Sequence, residues 1–451
     1  MDTDQNSLIR KYNVPAPRYT SYPAVPHWNN AADPQQWKLH FQRAYDEFGS
    51  QEGISLYIHL PYCESLCTYC GCNKRITKNH QVELPYISSL MKEWNMYLEL
   101  LDEKPKLAGI HLGGGTPTFF SPTSLEILLK HISNTSSRLK NAAFSFEGHP
   151  NNTTKAHLEV MARHGFNRVS FGIQDFDPKV QQSIHRVQPF ETVKEVTDTS
   201  RQLGFTSINF DLIYGLPHQN LDTLKATFNR VQELMPDRIA FYSYAHLPSA
   251  FPSQKSFEAY LPNEEQKRAL YEQGKDWLEE MGYEEIGMDH FALPSDPLLQ
   301  AKSDKTLHRN FMGYTTSPSR ILLGLGCSAI SDLYYAYGQN EKSVELYKKN
   351  ILNGDLPLIK GHVQSVENLM SKSIILNLIC NMEASWTTME NLSDELLEKL
   401  LVFEKDGLIT FNQKGIIITA AGKPFVRNIC MAFDPYMLSD KKSTPLFSKT
   451  I

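Results

Sequence analysis

Short, continuous apolar runs recur along the chain at residues 55–59, 109–112, 143–146, 168–173, 208–213 and 239–244. Runs of this length predict strands buried on both faces. Between them, residues 86–101, 124–132, 155–163, 193–203 and 221–234 carry apolar positions at helical spacing. Strand therefore alternates with helix, the signature of right-handed βα units on a parallel sheet. In such sheets chemistry collects at the carboxyl ends of the strands, where the connecting loops gather. The spacing fits an open sheet and a partial barrel equally.

Both ends of the chain depart from this rhythm. The first fifty residues are rich in Pro and aromatics (Pro15, Pro17, Tyr19, Tyr22, Pro23, Pro26, Trp28) and show periodicity only over 37–48, so they read as an ordered arm laid over the main body. Beyond Asp355 the pattern gives helices at 366–379 and 393–404, short apolar runs at 407–411 and 415–419, and a last helical run from Pro424. Two helices and a hairpin suggest a small winged-helix-like domain. The expected division is an arm at 1–50, a catalytic domain at 51–355 and a C-terminal helical domain at 356–451.

Composition narrows the function classes. Its 451 residues exceed what one ordinary core accommodates, and 41% hydrophobic with 21% charged residues is the balance of a folded globular chain. The 45 basic and 50 acidic residues are interspersed, so no basic stripe invites nucleic acid, even with a winged-helix shape. Met1 to Ser7 are polar, without the apolar core of a signal peptide, and no stretch reaches the length of a membrane span; a cytoplasmic protein is expected. Seven cysteines, four of them between Cys63 and Cys72, do not make a secreted disulfide framework. In a reducing compartment such a cluster points to a metal site.

Cys63, Cys67 and Cys70 follow the first strand directly, spaced C-x3-C-x2-C in the loop at its carboxyl end. Thiolates are soft ligands for zinc or iron-sulfur clusters, and an electron-transfer cluster of four irons takes four of them. Three ligands leave one iron open to a substrate, as catalytic metal sites do. A structural zinc site completed by Cys72 or His59 is the alternative. Cys327, Cys380 and Cys430 read as buried core thiols. Gly113 to Gly115 follow the second strand, where missing side chains let the backbone approach a ligand or simply form a tight turn. Glu147 ends the third strand, Gln174 the fourth, and Asp211 lies in the fifth, so three polar groups should converge on one rim.

The cysteine spacing after the first strand, with Tyr69 before the third cysteine, resembles the radical SAM superfamily. The stretches from Arg18 to Pro23, Cys70 to Lys74, Gly113 to Pro117, Gly172 to Phe176, Asp211 to Pro217, His308 to Asn310 and Arg427 to Met431 resemble, more narrowly, the branch that oxidises coproporphyrinogen III without oxygen. Cys72, giving C-x-C with Cys70, and the arm around Arg18 separate that branch from related haem chaperones. A haem-cleaving methyltransferase branch is the other relative to distinguish.

The resemblance implies a partial parallel (β/α)6-type barrel with an N-terminal arm and a small C-terminal helical, winged-helix-like domain. It implies a [4Fe-4S] cluster on Cys63, Cys67 and Cys70, and S-adenosylmethionine (SAM), two per product. Tyr57, Gly114, Glu147 and Ile330 match positions that contact the cluster-bound SAM. Tyr69, Gly71, Gly115, Thr116, Gln174, Arg186, Asp211 and Ala245 match those lining a second SAM. Cys72 and Glu147 are the catalytic candidates. One residue departs from the pattern: His149 stands where Asp is familiar, which touches the hydrogen bonding beside Glu147. A tetracarboxylate substrate needs cationic anchors, and Arg18, Lys74, Arg75, His290, His308 and Arg309 are candidates. A flavodoxin- or ferredoxin-like electron donor and a monomer are expected, and the aromatic segment 12–28 is a candidate lid.

Overall fold

Six parallel strands stand where the apolar runs predict them: β1 (Ile54–Leu60), β2 (Lys106–Gly114), β3 (Ser137–Gly148), β4 (Arg168–Gln174), β5 (Ser207–Tyr214) and β6 (Arg238–Ser243). They are seen in a computed structural model that describes residues 3–28, 32–317, 319–386, 392–439 and 447. A helix follows each strand: α1 (Glu83–Leu98), α2 (Pro122–Thr135), α3 (Lys155–Arg163), α4 (Phe190–Gln202), α5 (Leu221–Leu234) and α6 (Glu264–Glu280). The helix starts are written locally. Ser121, Thr154 and Asn220 accept hydrogen bonds from the first-turn amides of α2, α3 and α5.

Strand order equals chain order from β1 to β6, each pair parallel. A seventh strand, β7 (Leu322–Leu325), joins parallel on the free side of β1, and antiparallel segments extend both edges. The order is linear with two free edges, so the barrel is partial, not closed. Its inside and outside are set by alternation. In β3, Phe144 and Phe146 are buried and Ser145 and Glu147 are partly exposed. In β5, Phe210 and Leu212 are buried while Asn209 and Asp211 are partly exposed. The apolar set packs outward on the helices, joined by Tyr86, Trp94 and Tyr97 of α1. The polar set faces the lumen.

The chain divides into two compact units. One unit is Asn30–Leu299 with Ser317–His362; the other is Met1–Asn29, Gln300–Thr316 and Val363–Ile451. The segment 1–50 contributes to both units. Its periodic part packs in the barrel unit, where Trp37 donates to the Tyr97 hydroxyl at 3.0 Å. Its first 29 residues belong with the C-terminal helices. The physical reason is the main chain: a Pro-rich extended segment satisfies none of its own carbonyls. Arg427 takes those of Ala16 and Pro17, Arg309 those of Arg18 and Tyr19, and Asn428 that of Tyr12. Residues 358–363 form an edge strand of the large sheet. The second unit otherwise holds helices Val366–Asn381, Asp394–Lys405 and Val426–Ala432 beside a three-stranded sheet in which Gly415–Ile418 is central. Among the described residues no helix is long and apolar enough to cross a membrane.

Candidate active site

The cysteine loop leaves β1 and is folded back on itself. Tyr62 and Cys63 pair in parallel with Arg75 and Ile76, and the Cys70 amide donates to the Cys67 carbonyl at 3.1 Å. Lys74 closes the turn from inside, donating to the carbonyls of Cys70 (2.8 Å) and Cys72 (3.4 Å). His59 braces it from the strand. Its Nε2 lies 2.9 Å from the Asn73 carbonyl, which can only accept, so this nitrogen carries the proton and Nδ1 accepts from the Tyr57 hydroxyl at 3.1 Å. Burial pushes the His59 pKa down and keeps it neutral.

This geometry bears on the metal. With both ring nitrogens engaged, His59 is no fourth zinc ligand. Among the described residues no three His, Cys, Asp or Glu side chains converge as around a single ion. All three loop cysteines are free thiols. Cys72 is exposed, and its hydrogen bond with Cys70 lowers the Cys70 pKa and raises its own. Three thiols on one braced loop suit an iron-sulfur cluster. Cys327, Cys380 and Cys430 are buried, as the sequence suggests.

The glycine run abuts this loop. A Cβ on Gly115 would sit 2.5 Å from the Pro61 carbonyl oxygen and 3.0 Å from the Cys63 sulfur. On Gly113 it would sit 2.9 Å from Glu147 Oε1 and 3.0 Å from the Tyr57 ring. Gly114, at φ +118°, leaves its amide to donate to Glu147 Oε2 at 3.3 Å. Thr116 reaches the Cys63 sulfur at 3.3 Å. The run is more than a turn: it lets the second strand, Glu147 and the cysteine loop share one small volume. Ile330 lies nearby, since its carbonyl is 2.5 Å from where a Cβ of Gly324 would stand, and Gly324 is the β7 partner of Tyr57.

A second group forms across the lumen. Arg186 donates to the Gly172 carbonyl and to the Cys67 sulfur, and its Nε is buried without a hydrogen-bond partner. Gln174, at φ +68°, ends β4 beside it. Asp211 accepts from Ser170 at 3.0 Å and from Asn209 at 2.8 Å, and burial, with the Glu147 charge second, lifts its pKa to about 6. Tyr69 and Ala245 are tied together by one side chain that sequence reasoning missed: buried Gln254 donates to both carbonyls, at 3.0 and 3.3 Å. Phe251 packs on Gly71, where a Cβ would come 3.2 Å from its ring. His149 caps the short turn Pro150–Asn152, and burial beside Arg186 drives its pKa down to about 2, leaving it neutral.

Several anchor candidates have other engagements. Arg309 and Lys74 are committed to main-chain carbonyls, Arg75 pairs with Glu345 at 3.1 Å, and His290 meets the Tyr242 hydroxyl. The lumen also contains residues that the sequence reading passed over: His111, Ser145, Ser170 and Asn209. Their signal was parity, since each lies an even number of residues from a glycine or acid already singled out on its strand, or on the register row beside it.

Residues 57–231 match the radical SAM superfamily. Over 96% of both chains the protein is 38% identical to oxygen-independent coproporphyrinogen III oxidase of Pseudomonas aeruginosa. It is 37% identical to the Escherichia coli protein of that name, over 99% of this chain and 98% of the relative. A solved structure of coproporphyrinogen III oxidase from Escherichia coli, described as a radical SAM enzyme, superposes with a TM-score of 0.89 at 35% identity, covering 96% of this chain and 98% of that one.

Proposed function

This chain belongs to the oxygen-independent coproporphyrinogen III oxidases of the radical SAM superfamily, and on that premise we propose how its own residues divide the work. The reaction converts coproporphyrinogen III to protoporphyrinogen IX. Each of two propionates loses a hydrogen atom, CO2 and one electron and becomes a vinyl group. When bound, the [4Fe-4S] cluster supplies the electron that cleaves SAM and so provides the 5'-deoxyadenosyl radical that takes the hydrogen.

Cys63, Cys67 and Cys70 hold the cluster, with the loop set by Lys74 and His59. Tyr57, Gly114, Glu147 and Ile330 take the SAM beside it. Gly113 and Gly115 give the backbone room for that ligand. Tyr69, Gly71, Gly115, Thr116, Gln174, Arg186, Asp211 and Ala245 line a second SAM, and two SAM are used per product. Cys72, exposed beside Cys70, is assigned to the reacting face of the loop. The electron comes from a small flavodoxin- or ferredoxin-like protein, and the enzyme works as a cytoplasmic monomer.

The observation that carries this reading is the joining of two features in one lumen: a thiol loop with three candidate ligands, and a glycine run whose absent side chains leave space against Cys63 and Glu147. The test is anaerobic incubation of cluster-reconstituted protein with reductant, SAM and coproporphyrinogen III. Both 5'-deoxyadenosine and protoporphyrinogen IX should appear, and both should vanish in Cys67→Ser. Deoxyadenosine without decarboxylation would move the assignment to another substrate. Haem retention with neither product would favour a chaperone.

A further inference from the structure

Glu147 does not choose its own direction. Its Oε1 lies 3.3 Å from His111 Nε2, and its Oε2 receives the Gly114 amide at 3.3 Å. A carboxylate only accepts, so His111 Nε2 carries a proton. In a neutral ring Nδ1 is then bare and must accept. Its partner is the Ser145 hydroxyl at 2.8 Å, which therefore donates. The strand register brings these groups side by side: Tyr57, His111 and Ser145 are direct neighbours on β1, β2 and β3, all facing the lumen. The Tyr57 ring lies nearly parallel to the imidazole, 17° apart with centroids at 6.0 Å.

A purely structural histidine is a poor account of this arrangement. The Glu147 side chain is 43% exposed, so its bond to His111 is screened by water and adds little to folding. What the contact does control is where the carboxylate points, and a binding site depends on that. We propose that His111, its tautomer set by Ser145, is a positioning residue that aims Glu147 at the amino group of SAM. The proposal rests on the reading that Glu147 meets SAM.

The test measures SAM affinity directly, by equilibrium binding to the cluster-loaded enzyme, alongside iron content and melting temperature. His111→Leu removes both ring nitrogens and should weaken SAM binding about tenfold (~1.4 kcal/mol), with iron content and melting temperature unchanged. His111→Gln can return an amide N–H to Glu147 and should restore most of the loss. Ser145→Ala, a milder change that keeps the ring, should weaken binding about two- to threefold, which keeps the proposal testable if His111→Leu does not fold. Wild-type affinity in His111→Leu, or no recovery in His111→Gln, overturns the proposal if Glu147→Gln binds SAM weakly. If Glu147→Gln itself binds normally, the reading of Glu147 fails first and the inference falls with it.

Discussion

Arg186 directs Nη1 at the sulfur of Cys67, 3.4 Å away, and Nη2 at the carbonyl of Gly172, 2.6 Å away. A fixed cation against a ligand thiolate favours the more negative, reduced state of whatever metal that thiolate holds. Arg186→Met should therefore lower the midpoint potential of the reconstituted cluster by on the order of 60 mV, the equivalent of tenfold for one electron. A redox titration followed by the signal of the reduced cluster reads this. An unchanged potential would mean that water screens the guanidinium.

Gly115→Ala puts a methyl 2.5 Å from the Pro61 backbone oxygen, which cannot swing away, and 3.0 Å from the Cys63 sulfur. Iron content after reconstitution should fall to a small fraction of wild type. Gly204→Ala is the control: at φ +88° it is strained, but nothing lies within 4 Å. It should cost about 1–2 kcal/mol of stability and leave iron content and turnover intact.

Glu93 in α1 is fully buried and accepts from the Gly326 amide, the Asn340 side chain and the Tyr347 hydroxyl, each at 2.7 Å. Burial outweighs these bonds and lifts its pKa from 4.5 to about 7. Among the described residues, Tyr86, Tyr97, Tyr347 and Cys327 are ionisable groups that feel its charge. The folded state holds this proton longer than the unfolded one, so stability contributed here is full below pH 4.5 and lost as pH rises through about 7. Asp175 and Asp211, both lifted to about 6, add the same slope over a similar range. Urea midpoints across pH 4.5–7.5 should fall less steeply in Glu93→Gln than in wild type.

Gln254→Leu should loosen the Tyr69 end of the cysteine loop. It leaves the carbonyls of Tyr69 and Ala245, and the amide of Leu247, without their shared side-chain partner. Unsatisfied buried groups cost about 1–3 kcal/mol each, so a fall of several degrees in melting temperature is expected. More deoxyadenosine should form per vinyl group, measured as a product ratio.

The barrel was legible because β1 to β6 each announce themselves as short apolar runs with periodic helices between. Once a strand is assigned, parity alone puts His111, Ser145 and Asn209 on the side of Glu147 and Asp211. β7 and its antiparallel neighbours were not foreseen, since hairpins near Gly324 and Gly338 break the strand-helix spacing that reveals the others. Gln254 was invisible for a different reason. It sits in a 3-10 stretch, Pro252–Tyr260, with no apolar rhythm, and its importance lies in two backbone carbonyls. The partition of the arm could not be read either, because guanidinium-to-carbonyl bonds leave no pattern along the chain.

Those guanidinium bonds also set an order of events during synthesis. The carbonyl of Pro17 finds its partner in Arg427, 410 residues further along. A nascent chain emerging from the ribosome can build the βα units one after another, each from adjacent sequence, while its first residues still lack the groups that fix them. The earliest segment translated is thus among the last to acquire its final partners. A truncation that removes only the stretch around Arg427 should therefore be felt at Pro17, at the opposite terminus.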